Sequence, residues 1–253
     1  MTYSIVARDP HTGHHGIAVA SRFFAAGALV PHIRANCAVA TQAFVSPLWG
    51  LEAARRLQAG EAAANVLADL VARDDGESQR QCHLIDAEGR SAAHTGRDCI
   101  DVCGHLIAEE VSVAGNMLAN DEVIPATLAA YQAHSHLPFA ERLMTAMEAG
   151  EAAGGDKRGK QSAALKIHRG EDYPWLDLRA DDHPDPLSEL RRLYDVAHER
   201  FVHFAEGLPT AQNFSGVSDR TPIDSMIEKE EERRRREGIV SRSFATPLDK
   251  PAT

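Results

Sequence analysis

The sequence has no GxxxxGK(S/T) stretch, no GxGxxG behind a strand-like run and no GxSxG. That removes the phosphate-cradling loop, the dinucleotide fingerprint and the nucleophile elbow from the readings to consider. No HExxH is present, so the commonest helical zinc signature is missing too. No apolar run approaches the roughly 20 residues that cross a bilayer, so no membrane partner is expected. The first residues carry no basic region followed by an apolar stretch and a small-residue cleavage site, which makes the cytoplasm the expected location. Cysteine is sparse: Cys37, Cys82, Cys99 and Cys103 among 253 residues read as reduced thiols rather than a disulfide scaffold. Positive charge is outweighed, with a net charge of −10, so phosphate backbones are repelled and no nucleic-acid partner is expected.

What is there suits a soluble body. The chain is long enough for one large core or two modest ones, and 43% of it is hydrophobic. Residues 3–9 alternate and are rich in β-formers, 10–16 (PHTGHHG) form a turn, and 17–20 form a second strand, which together predict a hairpin. Residues 37–43 (CAVATQA) predict a strand of small side chains that allows close approach. Two helices follow, the first carrying Leu48, Leu51, Ala54 and Leu57 and the second Ala63, Val66, Leu67 and Leu70. Two short strands flank Asp86–Gly89, and a further strand spans Val111–Met117. Helices over 121–133 and 138–150 precede a strand at Ser162–His168. Clustered strands with helices in pairs predict an α+β fold with antiparallel sheets covered by helices. The expected segments are a body over 1–180, an amphipathic helix (Leu187–Phe204) within 181–207 and a polar, flexible tail over 208–253. In that tail, 228–237 (EKEEERRRRE) reads as a charged solvated helix or a disordered run.

Thr2 is the candidate nucleophile. With Met1 removed, its α-amine, of pKa about 8, is partly neutral near pH 7 and can take the hydroxyl proton directly or through water. A Thr at position 2 is commonplace by itself; a strand starting directly behind it is what would hold the amine in place.

The blocks MTYSIVARD, GIAVASRFFAAGALVP, AVATQA, SVAGNML and AGGDKRGKQSAAL resemble, in that order, the domain of unknown function 1028 family, which is regarded as part of the N-terminal-nucleophile (Ntn) hydrolase superfamily. The resemblance runs from residue 2 to about 170. It implies a four-layer αββα sandwich with two antiparallel sheets face to face, and an amidohydrolase acting on a small-molecule amide through Thr2. It also implies no cofactor or metal and assembly as a homo-oligomer. A weaker likeness to proteasome β-subunits rests on Ala20-Ser21-Arg22, the DAEG turn at 86–89, Ala114-Gly115-Asn116 and Gly154-Gly155. Ala20 stands where those proteins have an aspartate, and their lysine has no clear match, although His32 and Arg34 lie in its region. Arg22, His32 or Arg34 is the expected replacement, because a cation near the amine favours its neutral form. Asn116 and a backbone N–H of Gln42-Ala43 are the expected oxyanion donors. Asp156 or Ser162 would orient the amine, and Arg158 would pair with a substrate carboxylate.

Two other readings stand beside this one. A relative of the fold that has lost catalysis would serve as a binding or assembly protein. A zinc hydrolase would use Cys99, Cys103 and His105 with Cys82 or His83 as the fourth ligand. Asp181, Asp182 and Asp185 form an acidic turn that could bind a divalent cation or simply lead into a helix.

Overall fold

The structure, a computed structural model, describes residues 2–245; Met1, and positions 246–253 of the expected tail, lie outside the described residues. Strands β1 (Thr2–Arg8) and β2 (His15–Ser21) form the expected hairpin. Its turn closes where Asp9 O accepts from the N–H of Gly13, whose φ of 72° suits glycine. A short helix, α1 (Ala26–Leu29), and an edge strand, β3 (Pro31–Arg34), follow; neither was expected from the sequence, because four residues carry too little periodicity. Then come β4 (Cys37–Ala43), α2 (Pro47–Gln58) and α3 (Ala63–Arg73). Ser46 caps α2 by accepting from the Trp49 N–H, and Pro47 sits in the first turn, where its missing N–H is harmless.

Strands β5 (Arg80–Ile85) and β6 (Ser91–Thr95) flank the Asp86–Gly89 turn. After β7 (Gly104–Ala108) and β8 (Val111–Asn116) come helices α4 (Val123–Ala133) and α5 (Phe139–Ala152). Strands β9 (Ser162–His168) and β10 (Leu176–Ala180) complete the set. All the pairings are antiparallel. One sheet has six strands in the order β10-β9-β2-β1-β8-β7; the other has four, β3-β4-β5-β6.

Alternation decides which side chains meet. In β1, Thr2, Ser4 and Val6 share one face while Tyr3, Ile5 and Ala7 share the other. Val6, Ile17 and Val19 of the large sheet pack with Ile33, Ala38, Ala40 and Ile85 of the small one, so these faces form a common core between the sheets. Cys37, Val39, Cys82 and Leu84 point the opposite way, into a second core with Trp49, Leu57, Val66 and Leu70 of α2 and α3. On the outer face of the large sheet, the Tyr3 hydroxyl donates to Met147 O and to Glu151 of α5. Small residues there (Gly16, Ala18, Ala20) let α5 come close: a Cβ at Gly16 would collide with Leu143 and Phe139.

The described residues divide into two compact units, with the boundary between Leu190 and Arg191. The single helix expected over Leu187–Phe204 is two: α6 (Pro186–Glu199), which runs across that boundary, and α7 (Phe201–Ala205). Arg200, at φ −150° and ψ −44°, leaves the helical region and separates them. In the second unit the charged run is the C-terminal half of α8 (Thr221–Glu237), where Arg233 pairs with Glu230 and Glu237 and where Ile223 and Ile227 are buried. No helix among the described residues is long and apolar enough to cross a membrane.

Gly150 tests the approach of α5 to the large sheet. A Cβ there would run into Thr127 Oγ1 and the Tyr3 ring. Gly150→Ala should therefore lower the melting temperature by several degrees. Overpacking costs roughly 1–3 kcal/mol, more than the ~1 kcal/mol gained in helix propensity. A raised melting temperature would mean that α5 sits farther from β1.

Candidate active site

Thr2 opens the central strand of the large sheet, and register places a row of polar side chains beside it. Ser162 pairs with Ser21, Ser21 with Thr2, and Thr2 with Asn116, across four strands at one sheet end. All four have the parity that faces the opposite sheet. There the corresponding row is Gln42, Gln81 and Thr95, paired across β4, β5 and β6. Thr2 is 7% exposed, and Gln42, Gln81 and Asn116 are buried.

Buried polar groups need partners, and this end supplies them. Thr2 Oγ1 lies 3.0 Å from Ser21 Oγ. The Thr2 carbonyl receives two long hydrogen bonds, from Gln42 Nε2 at 3.5 Å and Asn116 Nδ2 at 3.4 Å. The same two amides donate to Gln81 Oε1, at 2.8 and 3.0 Å. Gln81 Nε2 lies 2.9, 3.0 and 2.8 Å from Thr95 Oγ1, Gly104 O and Gly115 O, which share its two amide hydrogens and link it to both sheets. Both amide hydrogens of Gln42 and of Asn116 are thus engaged in holding Thr2 and Gln81.

The network continues inward. Ser4 Oγ donates to Gln42 Oε1 at 2.8 Å and lies 2.8 Å from His83 Nε2, whose Nδ1 is 3.0 Å from Ser112 Oγ. His83 is completely buried, and burial pulls its pKa down to about 3, so the ring is neutral at ordinary pH.

A cleft of about 210 Å³ opens beside Asn116, lined by Ala43, Phe44, Gln79, Asp98, Cys99, Ile100 and Met117 as well. Ala43 and Met117 have positive φ angles of 65° and 52°. Each directly follows an amide residue of the polar row, Gln42 or Asn116. A non-glycine residue held there stores strain of about 1–3 kcal/mol, and such strain clusters at ligand sites.

The loop after α5 closes the same end. Asp156 accepts from the backbone N–H of Arg22 at 2.7 Å and of Arg158 at 2.9 Å, and pairs with the Arg158 guanidinium. Arg22 Nη1 donates to Arg158 O, and Gln161 N–H to Ser21 O. Thr2, Asn116, Gln42, Ala43, Arg22, Asp156, Arg158 and Ser162 therefore gather at one end of the sheets. The Ser162 hydroxyl is turned to the backbone, donating to Phe23 O and accepting from Ala26 N–H. His32 is not brought to Thr2. Its register partner Val39 faces α2 and α3, so His32 does too, lying against Gly50 with Nε2 at 3.1 Å from Leu29 O.

Ser4, Ser21, Gln81, His83 and Ser112 belong to the site without having been expected there. The available signal was polar residues recurring on one face of strands, two apart in Thr2–Ser4 and Gln81–His83 and four apart in Ser112–Asn116. The Cys/His set of the alternative zinc reading does not assemble. Cys82 and His83 point to opposite faces of β5, Cys99 Sγ donates to Arg80 O, and His105 Nδ1 bonds Thr95 Oγ1. Among the described residues no three His, Cys, Asp or Glu side chains form a metal-holding group.

Comparison with known proteins places the chain in a family. The model of a family of unknown function, DUF1028, matches residues 2–190, ending where the first compact unit ends. The crystal structure of protein SPO2555 from Silicibacter pomeroyi, assigned to the same family, is 32% identical over 86% of this chain and 99% of that one, with a TM-score of 0.79. No curated protein matches the chain.

The buried histidines make a pH prediction. Burial lowers His83 to about 3 and His15 to about 4, from an ordinary 6.5. Between those values and 6.5 the unfolded chain binds more protons than the folded one, so stability falls as pH falls. Each tenfold difference in proton affinity between the two states corresponds to about 1.4 kcal/mol. Urea midpoints measured from pH 7.5 down to pH 5 should decline, and His83→Gln should flatten part of the decline; a flat wild-type curve would mean that these rings are solvated.

Proposed function

The chain belongs to the DUF1028 family of unknown function, and from that premise we propose that it is an amidohydrolase of the Ntn type, with Thr2 as its nucleophile once the Met1–Thr2 bond is cleaved. The observation that carries this reading is the placement of Thr2. It starts the central strand, its hydroxyl is 3.0 Å from Ser21 Oγ, its carbonyl is held by Gln42 and Asn116, and a cleft opens beside its register neighbour. The stacked sheets, with α4 and α5 on one outer face and α2 and α3 on the other, support reading the body as a four-layer αββα sandwich.

In this reaction Thr2 Oγ1 attacks the carbonyl carbon of a small amide while its proton passes to the free α-amine, directly or through water. The tetrahedral intermediate collapses with the proton delivered to the departing nitrogen, leaving an ester on Thr2 and a free amine. Water then attacks the ester, releasing the acid and restoring the hydroxyl. Gln42 and Asn116 are positioning residues, because their amide hydrogens are engaged on the Thr2 carbonyl and Gln81. The oxyanion is assigned to the backbone N–H of Ala43 at the cleft rim, because those of Phe44 and Met117 already donate to Gln79 O and Ile100 O. Arg22 and Arg158 bring two guanidinium groups to the loop at this end, and a cation there favours the neutral, basic form of the amine. The cleft admits a compact acyl group with apolar contacts to Phe44, Ile100 and Met117.

The test combines intact mass with a β-lactone, an electrophile that traps hydroxyl nucleophiles. Purified protein should lack Met1 and take one adduct, mapped to Thr2. Thr2→Ser should keep labelling, and Thr2→Ala should abolish it, slowing adduct formation by at least about 10³-fold. A processed protein that takes no adduct at Thr2 would overturn the reading and leave a fold relative that binds without cleaving.

A further inference from the structure

We propose that His83 is a positioning residue for Thr2, acting through Ser4 and Gln42 along a one-way chain of hydrogen bonds buried between the two sheets. The inference rests on the reading of Thr2 as nucleophile and adds a group remote from the cleft on which its placement depends.

The direction of the chain follows from its ends. The Thr2 carbonyl can only accept, so the Gln42 edge facing it is the NH₂ edge, and Gln42 Oε1 faces Ser4. Ser4 has one hydroxyl hydrogen, and it goes to Gln42 Oε1 at 2.8 Å. Ser4 Oγ must then accept from His83, 2.8 Å away, which places the imidazole proton on Nε2. A neutral ring protonated at Nε2 has a lone pair at Nδ1, which accepts from the Ser112 hydroxyl at 3.0 Å. Every member is buried. Each bond therefore sits in a low-dielectric interior where an unmet polar atom costs about 1–3 kcal/mol, and reversing one member would leave its neighbours unmet.

The chain ties four strands together: β8 through Ser112, β5 through His83, β1 through Ser4 and β4 through Gln42. Its other end is the carbonyl of the residue that bears the reacting hydroxyl. The Thr2 carbonyl and Gln81 Oε1 hold the NH₂ edge of Gln42, and the Ser4 hydroxyl, oriented by His83, holds its Oε1 edge, so the amide is fixed at both ends. Burial is the main influence that disfavours a positive charge on the His83 ring; His105 on β7 adds to it, and the hydrogen bond with Ser112 opposes it.

Two measurements test this. The first needs no activity: ¹⁵N imidazole spectra of the labelled protein should show His83 protonated at Nε2, bare at Nδ1 and unchanged between pH 8 and pH 5. The opposite tautomer, or titration in that range, would overturn the chain. The second is the rate of β-lactone adduct formation at Thr2. Ser4→Ala and His83→Leu should each slow it by roughly 5- to 100-fold, the range set by one lost buried hydrogen bond. The double variant should be little slower than either single one, because both cut the same chain. His83→Gln, whose amide can donate to Ser4 and accept from Ser112, should restore the rate to within about threefold. Ser4→Ala with wild-type melting temperature and wild-type labelling would overturn the proposal even if His83→Leu fails to fold. A wild-type protein that takes no adduct at all would remove the nucleophile, and the imidazole spectrum would still decide the chain.

Discussion

Gln81 is the hub of the hydrogen bonds that join the two sheets at the end where Thr2 lies. Its carbonyl oxygen accepts from one amide of each sheet, Gln42 and Asn116, and its NH₂ group reaches the backbone of β7 and β8. Desolvated amides tolerate no idle donors, so this arrangement allows only one relative register of the facing strands. The apolar core deeper between the sheets, built from Val6, Ile17, Val19, Ile33 and Ile85, supplies most of the burial but is far less particular about alignment. Polar satisfaction at the rim therefore decides where the sheets sit, and with them the hydroxyl of Thr2.

Local strain and local order meet at that same end. Ala43 and Met117 hold positive φ immediately after Gln42 and Asn116, so both strands bend away just where their amide side chains are fixed, and the space they vacate is the cleft. The loop after α5 is brought in by a carboxylate rather than by apolar contact. Asp156 takes the N–H groups of Arg22 and Arg158, which keeps the two guanidinium groups near the strand end without burying either charge. Small residues on the opposite face of the large sheet play the complementary part, since Gly16 and Gly150 let α5 lie against β1 and β2 closely enough for Tyr3 to reach Glu151.

The sequence alone carried the hairpin, the paired helices and the α+β class, because these depend on period and on turn chemistry within a few residues: Pro10 to Gly16, Asp86 to Gly89, and the leucine spacing of 48–70. It also carried the ordered blocks that identify the family, and most residues that gather around Thr2. It did not carry α1, β3, β7 or β10. Each is five residues or fewer and takes its structure from a neighbouring strand or loop rather than from its own periodicity. Nor did it separate His32 from His83. Both are lone histidines in short strands, and only the pairing of His32 with Val39 and of His83 with Ala40 shows that one faces α2 and the other the interior of the sandwiched sheets.

Position 2 marks the division most clearly. The sequence determined that a threonine begins a β-forming run and that serines, glutamines and an asparagine recur at even spacing in other strands, since residue identity and alternation are properties of the chain itself. Which of those side chains meet was decided by tertiary structure. Strand register sets Ser162, Ser21, Thr2 and Asn116 in one row, and the packing of a second sheet sets Gln42, Gln81 and His83 opposite them. The physical reason is that a buried hydrogen bond depends on distance and direction between segments far apart in the chain, 114 positions from Thr2 to Asn116, and nothing local to either segment encodes that geometry.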